Sequence, residues 1–352
     1  MQDVSAAACR NGPKIVNGRI LQIVLTLLAL TLLAARFRLR PDDPGDLFPV
    51  WVGSGEVLRG RDPYREELSE RIQLRVYGRK LTPYELEHGR DQHRFAYPAY
   101  AAFILAPLTW LNYEAALALT CGILAALIAL SVPCWMRTVG WRPPPAVVAW
   151  AVLIVLLSPV ATRGLHLVQV GVLVGFLLAV AALAVARDHL FLGGVLLAVA
   201  SIKPQLALLP TAWFLLWSLS GLRRRWRLLL GLGCTLTVLI AASAVLVPQW
   251  IPHFLDGLAA YRHYTGVPSA FDAVFGRPWS AVPTLLAFIA LTVFAWKARR
   301  AEPSTREYLL ALAVTFAVTV WAMPANFDPY NQLLGLPLIF FLGRVLKERP
   351  SP

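Results

Sequence analysis

The stretch AALALTCGILAALIALSVPCW, from Ala115 to Trp135, holds no charged side chain. An α-helix rises about 1.5 Å per residue, so a run of this kind reaches across a hydrocarbon layer about 30 Å thick. Similar runs recur along almost the whole chain, and they constrain it more than any other feature. In hydrocarbon every backbone N–H and C=O needs a partner inside the protein, which leaves helices or closed barrels. The Leu- and Ala-rich runs lack the two-residue alternation of a barrel strand. The expected fold is all-α, a polytopic membrane helix bundle. Composition agrees: 57% of residues are hydrophobic and 15% charged, against about 25% charged in soluble domains.

Ten spans are expected, at 18–36, 114–136, 144–161, 168–186, 189–202, 204–221, 226–248, 280–297, 307–323 and 330–346. The first reads as a retained span and not a removed signal peptide, because no small-residue cleavage site follows it. With the N-terminus inside, 17 Lys and Arg fall in cytoplasmic connections, including the run Arg223–Arg224–Arg225–Trp226–Arg227. Short opposite loops hold four: Arg163, Lys203, Arg262 and Arg277. The other 12 lie in a long first external loop, 36–96, whose length gives it little vote. Both termini are therefore expected in the cytoplasm. The whole chain, 1–352, reads as a single integral membrane domain. Within it, 97–112 (YPAYAAFILAPLTWLN) is read as a re-entrant or interfacial element, since a span there would invert every later loop. The segment 249–279 is read as an external, aromatic-rich loop. In the first loop Leu68, Ile72 and Val76 repeat at helical spacing and point to an amphipathic helix.

The net charge of +13 needs no nucleic acid. Cations gather at cytoplasmic loop ends and lipid headgroups in a polytopic protein, so membrane lipids are the expected partners. Cys9, Cys121, Cys134 and Cys234 have no metal-ligand spacing and are expected as free, mostly buried thiols. Neither a nucleotide loop nor a His/Cys cluster is present, so no metal or cofactor is expected.

A few polar residues stand out against this background. Asp46 follows the first span and precedes the apolar Leu47–Phe48 and Val50–Trp51–Val52. A carboxylate held at the membrane boundary can act as a general base; it can equally cap a helix. Lys203, in SIKPQLALLP, sits between apolar runs with almost no loop around it. It suits a phosphate, or it snorkels to headgroups. Arg163 and His166 fall on the same expected face, and with Lys203 they form a candidate phosphate site. Gln169 opens the next run and could orient a hydroxyl or phosphate oxygen, or bond a neighbouring helix. Asp62-Pro63-Tyr64 and Asp328-Pro329-Tyr330 both read as helix starts, with Asp as cap and Pro at the first position. His263, with Tyr261 and Tyr264, lies in the aromatic-rich segment, which could stack on sugars or anchor in headgroups.

Taken in order, these residues resemble glycosyltransferase family 87. The pattern is an Asp after the first span, G-x-D-P-Y sixteen residues on, Tyr97-Pro98 before an apolar stretch reaching Pro107, Gln169 opening a span, and Lys203-Pro204-Gln205. The resemblance covers about 18–346. That family comprises membrane enzymes of the GT-C superfamily and includes polyprenol-phosphate-mannose-dependent mannosyltransferases. Two departures occur: Ala99 stands where the family often has a second Pro, and Val168-Gln169-Val170-Gly171 stands for its frequent Gly-Gln-x-Asn.

The resemblance implies a sugar donor on a polyprenyl phosphate and a lipid-linked or glycolipid acceptor at the outer face of the plasma membrane. Asp46 would take the proton of the acceptor hydroxyl as it attacks the anomeric carbon with inversion. Lys203, with Arg163 or His166, would stabilise the departing phosphate. Gln169, Tyr64, Tyr97 and His263 would be further substrate-binding residues. The scheme asks for no metal. A transporter or lipid flippase is the competing reading. It would place polar groups at mid-bilayer and show repeat symmetry, whereas here the unusual residues gather on one face. A membrane scaffold without activity is the third.

Overall fold

A computed structural model describes residues 45–265, 268–324 and 326–347, with Ile20, Ile23, Val24, Thr26 and Leu27. The described residues form helices and turns and no strand, so the chain is all-α. The first expected span, 18–36, lies almost wholly outside them, as does Cys9.

Four helices come before the bundle: α1, Leu47–Leu58; α2, Glu66–Tyr77; α3, Pro83–Glu87; and α4, Ala101–Leu105, which continues as a 3-10 helix over Ala106–Trp110. The expected amphipathic helix is α2. Its i, i+4 pair Leu68 and Ile72 is buried, and it packs against α1. The helix stops at Gly78, whose φ of 71° lies in the left-handed region. A capping box between Thr82 and Glu85 starts α3. The 97–112 element is α4 and its 3-10 extension. At about 1.5–2 Å per residue, ten residues cover roughly half a bilayer. It packs on α1, where Trp51 Nε1 donates to the Leu108 carbonyl at 2.8 Å.

The bundle follows: α5, Tyr113–Thr138; α6, Pro145–Leu157; α7, Pro159–His166; α8, Val170–Ala186; α9, Leu190–Ala200; α10, Pro204–Leu219; and α11, Leu222–Leu246. Then come α12, Trp250–Thr265; α13, Ala270–Phe275; α14, Ala281–Ala298; α15, Arg306–Trp321; and α16, Leu336–Lys347, which follows a 3-10 helix at Pro329–Gly335. A helix lies at each expected span after the first. Among the described residues, α5, α11 and α14 are each long and apolar enough to cross a membrane, and α6 with α7 qualifies as one pair bent by 54°. The remaining apolar helices are shorter than a bilayer is thick; α9 has only 11 residues.

α8 and α15 form the interior, with Val174, Leu178, Ala313 and Phe316 fully buried. α9 and α11 touch backbone to backbone, because a Cβ at Gly194 or Gly231 would collide with the opposing main chain. By contrast the apolar windows of α11 and α14 are only 22% and 17% buried. Their apolar side chains face outward, as lipid-facing helices do.

The structure adds detail in three places. Within the 249–279 segment, α12 and α13 occupy most of the residues. The Arg-rich run is the first turns of α11, and Arg225 within it is buried. Its guanidinium stacks 3.8 Å from the Trp217 ring and donates to the carbonyls of Trp217, Arg299, Arg300 and Ala301. Of the thiols, Cys121 and Cys134 are half-buried but Cys234 is exposed.

Candidate active site

Asp46 stands at the start of α1, yet it does not cap that helix. Its φ and ψ are helical and its side chain accepts no backbone N–H. The preceding turn explains why. Gly45 adopts a φ of +61°, where glycine carries no Cβ penalty. The Asp46 N–H then donates to the Leu167 carbonyl at 3.0 Å. This turns the carboxylate away from its own helix, and it accepts a hydrogen bond from Gln169 Nε2.

Gln169 is held by the α7–α8 junction. Its N–H donates to the Gly164 carbonyl at 2.9 Å. Val168, just before it, has a φ of 48°. A β-branched residue pays about 1–2 kcal/mol for that conformation, which gives a physical reason for glycine to be frequent there in the family pattern. Gln169 Oε1 accepts from Lys203 Nζ at 2.9 Å and from the Gly171 N–H at 3.4 Å. One amide thus joins the carboxylate to the ammonium group. Lys203 is 8% exposed, and a buried ammonium without partners would cost several kcal/mol. Asp46, Gln169 and Lys203 precede α1, α8 and α10 respectively. Three positive helix ends therefore point at one place, an arrangement that favours an anion.

Electrostatics there follow from burial. Desolvation pushes the Asp46 carboxyl above the usual carboxylate range, opposed by the Lys203 charge and the Gln169 hydrogen bond. Desolvation likewise pushes the Lys203 ammonium down, opposed by Asp46 and Asp328. Tyr97 and Tyr261 both have phenols raised by burial and, next, by carboxylates: Asp46 for the first and Asp91 for the second, with Asp46 also acting on Tyr261.

A second polar group borders Lys203. The Tyr330 ring lies 5.3 Å from its ammonium nitrogen, and the Tyr330 hydroxyl donates to Asp328 Oδ2 at 2.7 Å. Next in the chain, Asn331 is 3% exposed and its Oδ1 has no hydrogen-bond partner. A Cβ at Gly171 would sit 3.0 Å from that oxygen and 3.2 Å from Lys203 Nζ. A side chain there would press on both groups. A small cavity of about 20 Å³ lies here between α5, α8 and the 3-10 helix, with Ser131, Tyr330 and Asn331 as its polar lining and Leu127, Val172, Phe176 and Leu333 among its apolar lining.

The structure thus brings together Asp46, Gln169 and Lys203. Tyr97 is half-buried beside them. It does not bring in Tyr64, whose hydroxyl donates to the Tyr97 carbonyl at 2.8 Å and whose ring packs on Phe95 and Phe254. Asp62 is not the helix cap expected: it closes a turn by accepting the Tyr64 N–H at 2.9 Å, and α2 starts later, at Glu66. Arg163 is exposed on α7, and no hydrogen bond or ion pair joins it to the Asp46–Gln169–Lys203 chain. His166 is half-buried at the end of the same helix. The His263 side chain lies outside the described residues. Sequence reasoning gave Asp328-Pro329-Tyr330 only the role of a helix start, named Tyr261 only as part of the aromatic-rich segment, and missed Asn331. A usable signal was the polar run Asn326–Gln332 between two apolar segments.

The model of glycosyltransferase family 87 matches residues 95–332. The chain belongs to that family. None of the curated proteins compared with it matches. This protein is accordingly a membrane glycosyltransferase, and it requires a sugar donor and an acceptor. Within the glycosyltransferase, Gln169, Lys203, Asp328 and Asn331 fall in the matched region, while Asp46 lies N-terminal to it.

Proposed function

We propose that this glycosyltransferase moves a sugar, a hexose such as mannose, from a polyprenyl-phosphate donor to a lipid-linked or glycolipid acceptor. The reading is carried by one observation: a carboxylate and an ammonium group share the Gln169 amide where three helix N-termini meet. Asp46 takes the proton from the acceptor hydroxyl. The hydroxyl oxygen bonds to the anomeric carbon as the carbon–oxygen bond to phosphate breaks on the opposite face, so configuration inverts. Polyprenyl phosphate leaves with the electron pair. Its charge is met by Lys203 and by the three helix ends, fixed before the reaction begins. Phosphate leaves without an acid, so the second carboxylate of a glycoside hydrolase is not required.

The same reading has a single ten-span domain in the plasma membrane, with both termini cytoplasmic and the site facing outside. The 36–96 loop and the 97–112 element lie on that outer side. Family membership favours transfer over transport.

The test is to incubate the purified protein with labelled polyprenyl-phosphate sugars and a membrane lipid extract. Loss of a general base costs about 10²–10⁴-fold, so Asp46→Asn should reduce label transfer by that range. Transfer that survives the substitution within tenfold would exclude Asp46 as the base.

A further inference from the structure

We infer that Asn331 binds a hydroxyl of the transferred sugar, the one nearest the anomeric carbon; this rests on the donor reading just given. Asn331 is 3% exposed and its Oδ1 has no partner. Buried polar atoms are almost always hydrogen-bonded, because leaving one unpaired is unfavourable. An orphan acceptor in a cavity marks a place where a donor is missing. The backbone gives the side chain a defined position, since the Asn331 N–H donates to the Asp328 carbonyl at 3.0 Å. Gly171 keeps the space in front of the oxygen open: a Cβ there would lie 3.0 Å from Oδ1 and 3.2 Å from Lys203 Nζ.

The kind of ligand group follows from the chemistry. An amide oxygen accepts and does not donate. A phosphate oxygen that is ionised also only accepts, so it cannot satisfy the Asn331 Oδ1. A sugar hydroxyl can donate. Lys203 donates to Gln169 and has further N–H bonds for a phosphate. With the phosphate on Lys203, the hydroxyl beside the anomeric carbon comes within reach of the neighbouring Asn331. Asn331 therefore serves donor choice, and Asp46, on the other side of the Gln169 amide, serves the acceptor.

The experiment compares purified wild type and Asn331→Ala on polyprenyl-phosphate mannose, polyprenyl-phosphate glucose and analogues that each lack one ring hydroxyl. Turnover is read together with the shift in Tm that each donor produces. A site built to pair a hydroxyl discriminates against the analogue lacking it. Wild type should lose about 10–100-fold in kcat/KM with the analogue lacking the hydroxyl nearest the anomeric carbon, and Asn331→Ala should lose a similar factor on the parent donor. In Asn331→Ala the penalty for that analogue should shrink to less than threefold, a change that a merely structural residue would not produce. An unchanged penalty at every position overturns the assignment while leaving the donor reading intact. Wild type showing neither turnover nor a donor-dependent Tm shift overturns the donor reading and this inference with it. Asn331→Leu, similar in volume and without the acceptor, carries the same comparison where Asn331→Ala fails to fold.

Discussion

Asp-Pro-Tyr occurs at 62–64 and again at 328–330, and the two copies do different work. In the first, both Asp62 oxygens are engaged by the protein: one by the Tyr64 N–H, the other 2.8 Å from His253 Nδ1 on α12. Tyr64 extends the tie to the Tyr97 carbonyl and to Phe254. The turn is a strut that fastens α12 to the chain entering α4. In the second, Asp328 makes no backbone cap. Its carboxylate instead holds the Tyr330 hydroxyl, and the ring stands against the Lys203 ammonium, with Asn331 following. Identical tripeptides make a brace in one place and a wall of the candidate active site in the other. The local residues set the turn, and the groups packed opposite set its use.

The largest effect is expected at the cation that the second copy faces. Lys203→Gln keeps a donor for Gln169 Oε1 but removes the charge, and transfer should fall about 10²–10³-fold. Label transfer measures it, and a loss under tenfold would separate Lys203 from the chemistry and erase the contrast between the two turns. A smaller, paired effect sharpens the comparison. Tyr330→Phe frees Asp328 to compete for Lys203, and kcat should fall roughly fivefold, the worth of about one hydrogen bond, with little change in Tm. Tyr64→Phe should do the reverse, costing about 0.5–1.5 kcal/mol of stability and leaving kcat unchanged. If both variants shift the same quantity, the copies are not distinct.

The mildest probe is pH. The base works deprotonated and the cation protonated. Because burial raises Asp46, the acid limb of the rate should lie above the ordinary Asp midpoint of about 3.9. Because burial lowers Lys203, the alkaline limb should fall below the ordinary Lys midpoint of about 10.4. Lys203→Gln should abolish the alkaline limb, whereas Asp62→Asn, at the strut, should leave both limbs where they are. An alkaline limb that persists in Lys203→Gln belongs to another group.

Much of this was legible in the residues. The helices at 114–136, 204–221 and 280–297 follow from uninterrupted apolar runs, and α2 from its i, i+4 pattern. Asp46, Gln169 and Lys203 stood out because each interrupts or borders such a run. What stayed hidden depended on partners. Whether Asp46 capped α1 or met a partner from another helix could not be read from its neighbours, since both readings need the same local sequence. Tyr64, which the resemblance implied as a substrate contact, has its hydroxyl bonded to the Tyr97 carbonyl, a partner 33 positions away. Arg163 shared an expected face with Lys203, but it lies exposed on α7. Asn331 stood inside the polar run Asn326–Gln332, but its orphaned oxygen is visible only once Gly171 is seen opposite.

Composition and periodicity were enough to establish an all-helical membrane protein and the order of its helices, because helix formation and burial in lipid respond to residues within a few turns of one another. Packing alone brought Asp46 against Gln169, 123 positions away, and Gln169 against Lys203, 34 positions further on. Contacts over such separations depend on how whole helices fit, and no stretch of one helix encodes the neighbour it will meet.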